Sequence, residues 1–271
     1  MRIPFTKAHG SKNDFLLTWA DAVPTENLPA LARAMCDRHT GVGADGWILV
    51  SPAESAGADA AITLFNSDGS GAEMSGNGTR CAAAFLIVNG KGGEQIRIRT
   101  GAGTKCLELM ARQGNAFLFD MNMGRPEYRD ADIRVRIEAR SREFDAMILN
   151  VGNPQCVIFA PEQPRDWREI GAEIENNPRF PNRTNVSFVR RVDDHSIEVL
   201  FWERGAGETM SSGTGSTGAA VAAIARGLVQ SPVRVITPAG PLEIRIESDG
   251  VHLLGPAEIV AAGEFFSGNT T

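Results

Sequence analysis

Hydrophobic residues along this chain fall into short alternating or continuous runs separated by glycine, not into long stripes of helical period. The runs include WILV from 47, ITLF from 62, IRIRT from 96, AFLFDM from 116, IRVRIEA from 133, MILNV from 147, QCVIFA from 155, NVSFV from 185, IEVLFW from 197, VRVIT from 233 and LEIRIE from 242. Four to seven residues of this kind, bounded by polar turns, predict β-strands. Two segments break the pattern. Residues 79–88 and 216–226 are rich in alanine, follow Ser-Gly-x-Gly, and end at Gly90 and Gly227, which serve as helix stops. They read as helices, and their small side chains predict close packing with strands all around them. Many strands and few helices give an α+β protein.

The pattern also repeats, with 137 positions separating Ser75 from Ser212. In that register ITLFNSD from 62 lies over VLFWERG from 199, SGNG from 75 over SGTG from 212, and IRIRTGAG from 96 over VRVITPAG from 233. A strand, a turn, a helix and a second strand matching without a gap predict an internal duplication and two similar halves.

The two Ser-Gly-x-Gly turns are where the repeat predicts a ligand. The first N–H groups of a helix have no partner within it, and with the helix dipole they attract an anion such as a carboxylate. A lone turn of this kind is as well explained by serine capping and glycine flexibility. The duplicated pair favours a small ligand lying between Ser75 and Ser212. The polar turns ahead of both helices place Asn66 over Glu203 and Ser67 over Arg204, residue types suited to the ammonium and carboxylate of an amino acid.

Composition narrows the remaining classes. A formal charge of −6 among 271 residues, 42% of them hydrophobic, argues against nucleic acid as a partner. No stretch approaches 18 uninterrupted apolar residues, so no membrane span is expected. The first fifteen residues lack the apolar core of a signal peptide, which leads us to expect a cytoplasmic protein with free thiols. The four cysteines (36, 81, 106, 156) form no C-x-x-C pair and the four histidines are scattered, so no metal is expected.

The motifs HGSKNDF from 9, RHTGVGADG from 38, FNSDGSGAEMSGNGTRC from 65, VGNPQCV from 151, NRTNVSF from 182 and ERGAGETMSSGTG from 203 resemble, in that order, the diaminopimelate epimerase family of cofactor-independent amino-acid epimerases. The resemblance implies two pseudo-symmetric domains, each a β-barrel-like sheet around a central helix. Their expected limits are 1–115, joined by 260–271, and 116–259. It also implies an active site between the domains, no pyridoxal phosphate (PLP) or other cofactor, no metal, and a homodimer. By position it assigns Asn13, Asn66, Asn153 and Asn185 to substrate polar groups and Glu203 and Arg204 to the distal end of the amino acid. Gly76, Asn77, Gly213 and Thr214 fall on the turns that receive the reacting carboxylate, and Ser75 and Ser212 occupy the two acid/base positions.

Those last two residues depart from the family, which inverts a Cα centre with two cysteines, in C-G-N-G and C-G-[ST]-G. A thiol ionises near pH 8.5, whereas a serine hydroxyl is a far weaker acid and needs an adjacent base. Gln155 stands where the family pattern has histidine, and Lys12 where it has glycine. His9 and His39 lie in family motifs, with backbone-satisfied structural roles expected ahead of serine activation. Three readings fit. The chain is an inactivated Cys→Ser variant, although Gln155 argues against that. It is a Ser/Ser paralogue isomerising another small carboxylate. Or it is an amino-acid-binding protein without the chemistry.

Overall fold

The computed structural model describes residues 1–53 and 57–268; residues 269–271, the end of the segment expected to join the N-terminal half, lie outside the described residues. The chain divides into two compact units, Met1–Met121 with Gly255–Thr271, and Asn122–Leu254. Both divisions fall inside strands.

Unit 1 contains β1 (Arg2–Gly10), β2 (Asn13–Trp19), α1 (Leu28–Cys36), β3 (Gly46–Pro52), β4 (Ala60–Asn66), β5 (Gly71–Ala72), α2 (Gly76–Val88), β6 (Gln95–Thr100), β7 (Gly103–Gln113) and most of β8 (Ala116–Gly124). Unit 2 contains β9 (Val135–Ala139), β10 (Arg142–Asn150), β11 (Pro154–Phe159), α3 (Trp167–Glu175), β12 (Asn185–Asp193), β13 (Ser196–Glu203), β14 (Gly207–Thr209), α4 (Gly213–Ala225), β15 (Val233–Thr237), β16 (Gly240–Glu247) and the start of β17 (Gly250–Phe266).

The same succession of pairings runs through both. In unit 1, β1–β2 is antiparallel, β2–β3 parallel across α1, β3–β4 antiparallel, β4–β6 parallel across α2, and β6–β7 antiparallel. In unit 2 the corresponding series is β10–β11, β11–β12 across α3, β12–β13, β13–β15 across α4, and β15–β16. A parallel step needs a crossover, and each crossover here is a helix. The result is α+β, with the sheet of each unit curved around one central helix.

Burial explains which helix lies where. In α1 and α3 one face is apolar. Ala32, Met35 and Cys36 pack with Ile3, Leu16 and Trp47, and Ile170 and Ile174 pack with Trp167 and Phe188. The Trp47 indole N–H is satisfied by the Thr18 hydroxyl at 2.9 Å. By contrast α2 is buried from Gly76 to Leu86 and α4 from Gly213 to Ala223. Glycine and alanine let strands close on these helices where the approach is tightest. A Cβ at Gly215 would stand 2.7 Å from the Phe201 ring, and one at Gly78 would stand 3.0 Å from Ile48 Cδ1. Both helices start three residues earlier than the alanine pattern predicts, on the glycines themselves.

The two-residue turn between β1 and β2 places Ser11 at φ 51° and Lys12 at φ 62°. Left-handed backbone disfavours any residue with a Cβ, which is a physical reason for glycine at position 12 in the family pattern. Among the described residues no helix is long and apolar enough to cross a membrane.

Candidate active site

The two turns share one backbone. Ser75 caps α2 at φ −131°, ψ 123°, and Ser212 caps α4 at φ −133°, ψ 123°. Each Oγ accepts the N–H three residues on, from Gly78 and Gly215, at 3.1 Å. That is the ordinary N-cap bond, and it leaves the remaining first-turn N–H groups facing out of the helix.

Around Ser212 the side chains place a carboxylate against the serine hydroxyl. Ser212 is buried. Its Oγ–H donates to Glu203 Oε2 at 2.8 Å, and the Thr209 hydroxyl donates to Glu203 Oε1 at 2.7 Å. Asn153 Nδ2 donates to Thr214 Oγ1 at 3.2 Å, and Gln155 Nε2 donates to Asn153 Oδ1 at 2.6 Å. Gln155 is fully buried, and among the described residues its own Oε1 has no hydrogen-bond partner. Asn185 donates to the Pro154 carbonyl and accepts the Arg204 backbone N–H at 3.0 Å, which fixes the start of the 203–205 turn. Glu175 holds the other side of that turn by accepting from Gly205 N–H, Trp202 Nε1 and Arg183.

Around Ser75 the chemistry differs. Ser75 is half-buried, and its Oγ has no side-chain partner among the described residues. The polar groups nearby form a line of fixed direction instead. Arg80 Nη2 donates to Asn77 Oδ1 at 2.6 Å, Asn77 Nδ2 to Asn13 Oδ1 at 3.2 Å, and Asn13 Nδ2 to Asp45 Oδ2 at 2.7 Å. Arg38 then bridges Asp45 and Asp14, and Lys7 pairs with Asp14 at 3.0 Å. Burial pushes the Asp14 carboxyl up, but the hydrogen bonds and charges of Arg38 and Lys7 outweigh it and hold its pKa below the usual range. Asn66 ends β4 with its amide turned to Ser70 Oγ at 3.0 Å, within its own turn.

Neither a relocated thiol nor a histidine supplies the missing base. Burial pushes the thiols of Cys36, Cys81 and Cys156 up to about 12, so none is ionised near neutral pH. Cys106 is exposed on β7. His9 lies 3.7 Å from Glu258 and His39 sits in an exposed turn; neither hydrogen-bonds Ser75. Glu247, Asp249 and His252 offer ligand atoms within 4.8 Å of one another, but Asp249 already accepts from Asn122 and His252.

Of the residues expected at the site, the structure joins Asn13 with Asn77, Asn153 with Thr214, Ser212 with Glu203, and Asn185 with Arg204. Pattern reasoning missed the pairing of Glu203 with Ser212, and it missed Asp45 and Arg80. Both of the latter lie inside motifs quoted above, so their presence was visible and their contacts were not.

The model of the diaminopimelate epimerase family matches residues 5–129 and 147–260. A diaminopimelate epimerase of Pelotomaculum thermopropionicum is 40% identical over 96% of this chain and 98% of its own length. That of Archaeoglobus fulgidus is 38% identical over 97% and 96%. Among solved structures, a hydroxyproline epimerase from Agrobacterium vitis, with bound trans-4-hydroxy-L-proline, superposes with a TM-score of 0.76 at 15% identity, covering 97% of this chain and 92% of that one. A PhzF-family phenazine biosynthesis protein of Bacillus anthracis gives 0.72 at 14%, covering 98% and 100%. These two share the fold, while the family model and the close relatives carry the assignment: this chain belongs to the diaminopimelate epimerase family.

Proposed function

We propose that the chain is a PLP-independent amino-acid epimerase acting at Cα, with Ser212 and Ser75 at its two proton-transfer positions, and that its turnover of diaminopimelate is weak. The observation that carries this reading is the 2.8 Å hydrogen bond from Ser212 Oγ to Glu203, at the start of a buried helix. A serine hydroxyl becomes a useful base only when another group takes its proton, and a carboxylate in contact does so. Glu203 receives the Ser212 proton as Oγ takes the proton from Cα. The carbanion's electron pair spreads into the substrate carboxylate, whose charge the turn N–H groups stabilise. Inversion then requires Ser75 to give its proton to the opposite face of Cα. That step leaves an alkoxide supported by a single backbone N–H, so it is the slower half.

The expected signature is asymmetric. In D2O one stereoisomer exchanges its Cα proton faster than it inverts. Proton NMR and chiral chromatography on LL- and meso-diaminopimelate measure both rates. If neither isomer exchanges, and no other amino acid does, the assignment of an epimerase site fails.

The lone Ser75 also favours a second reading, a Ser/Ser isomerase whose substrate has a more acidic C–H than an amino acid. Exchange of an activated small carboxylate, with none for diaminopimelate, identifies it.

A further inference from the structure

Arg80 lies on α2 one turn beyond Ser75 and is fully buried. Its complete set of partners is the Pro256 carbonyl at 3.1 Å, the Gly76 carbonyl at 3.2 Å and Asn77 Oδ1 at 2.6 Å. All three are neutral, and among the described residues no carboxylate pairs with it. Buried charges in folded proteins are normally paired, because carbonyl dipoles orient a guanidinium without cancelling its charge. Burial lowers its pKa to about 10, which still leaves it charged at neutral pH. The corresponding position of unit 2 is Thr217, whose hydroxyl donates to the Gly213 carbonyl.

We propose that Arg80 is a positioning residue of the Ser75 turn, and that the counter-charge its buried guanidinium lacks is the carboxylate of the bound substrate. This rests on the turn being a substrate site. Two of the three contacts are to Gly76 and Asn77, the residues that form the turn. A guanidinium has donors only, so it dictates which end of the Asn77 amide faces it. Asn77 Nδ2 is thereby directed to Asn13, and Asn13 Nδ2 to Asp45. Arg80 thus fixes the direction of the amide line and adds positive potential where the helix start already favours an anion.

The test is the affinity ratio between diaminopimelate and its bis-carboxamide, measured by calorimetry. Arg204 is unchanged throughout, so its part in the ratio cancels between chains. In Arg80→Gln the carboxylate ligand loses roughly ten- to a hundredfold in affinity, the range for a charged hydrogen-bonding partner, while the carboxamide loses much less. Arg80→Lys restores most of the ratio. Asn77→Asp folds with an internal counter-ion for Arg80 and loses the ratio in the same way. Equal losses for both ligands would make Arg80 merely structural and overturn the proposal. So would an unchanged ratio in Asn77→Asp, the deciding measurement if neither Arg80 variant folds. A wild-type chain that binds neither ligand overturns the substrate-site reading as well.

Discussion

The Ser75 and Ser212 turns have the same dihedral angles, the same cap bond and the same buried helix behind them, yet their side chains divide the chemistry unequally. Beside Ser212 stands a carboxylate that accepts its hydroxyl hydrogen bond. Beside Ser75 stands a line of amides held between Arg80 and Asp45, and among the described residues no base hydrogen-bonds the serine. Two matching backbones therefore supply two equivalent helix starts, while the side chains around them give one serine a carboxylate partner and set a line of amides beside the other. The same local fold thus carries two different sets of polar partners.

The comparison breaks most visibly at Glu203. Glu203→Gln keeps the shape of the side chain and removes the base, and Cα exchange in D2O should fall by at least about a hundredfold, the low end for general-base catalysis. An unchanged rate would mean that Ser212 is not the active half. Next in size are the changes that equalise the turns. Ser75→Cys installs a group ionising near pH 8.5 where, among the described residues, no base contacts the serine, and Asn66→Glu copies the unit 2 carboxylate. Each should raise inversion about tenfold with little change in one-face exchange. Ser212→Cys should help inversion less, since its serine is already assisted. If Ser75→Cys with Ser212→Cys restores nothing, the site has diverged beyond its two bases.

Smaller effects test the shared scaffold. Gly215→Ala drives a methyl against the Phe201 ring and should cost about 1–3 kcal/mol in denaturant unfolding. Gly78→Ala should cost less, because its close neighbour is the movable end of Ile48. Lys12→Gly should gain up to about 1 kcal/mol by relieving a left-handed residue, the gain being trimmed by glycine's extra freedom when unfolded. The smallest effect is acid sensitivity from Asp14. Its folded pKa is depressed, so its stabilisation is complete above the unfolded value and is lost as pH falls below about 4. Asp14→Asn should flatten that part of the stability profile.

How much could be read without coordinates varied with the range of the interaction. β6, β9 and β15 alternate buried and exposed residues as their sequences do. WILV from 47, apolar throughout, is buried on both faces of β3. By contrast, β1 begins RIPFTK and carries no clean alternation. It is held by its partners, β2 and the far end of β17. The helices α1 and α3 escaped the pattern because each has only nine residues, too few for a period of 3.6 to stand out among strands.

By itself, the sequence determined the strand pattern, the matched turns, the two serines where the family has cysteines, and the family itself. These are written in neighbouring residues, because backbone propensity, side-chain period and motif spacing act over a few positions. Only the tertiary structure decided what each serine touches. Ser212 meets Glu203 because β14 folds back antiparallel on β13 and returns the start of α4 to the end of β13. Asn77 meets Asn13 across 64 residues, and Arg80 meets Pro256 across 176. Such contacts depend on where distant strands close around a helix, and no local pattern encodes that closure. The difference in partners between two nearly identical turns belongs to that second kind of information.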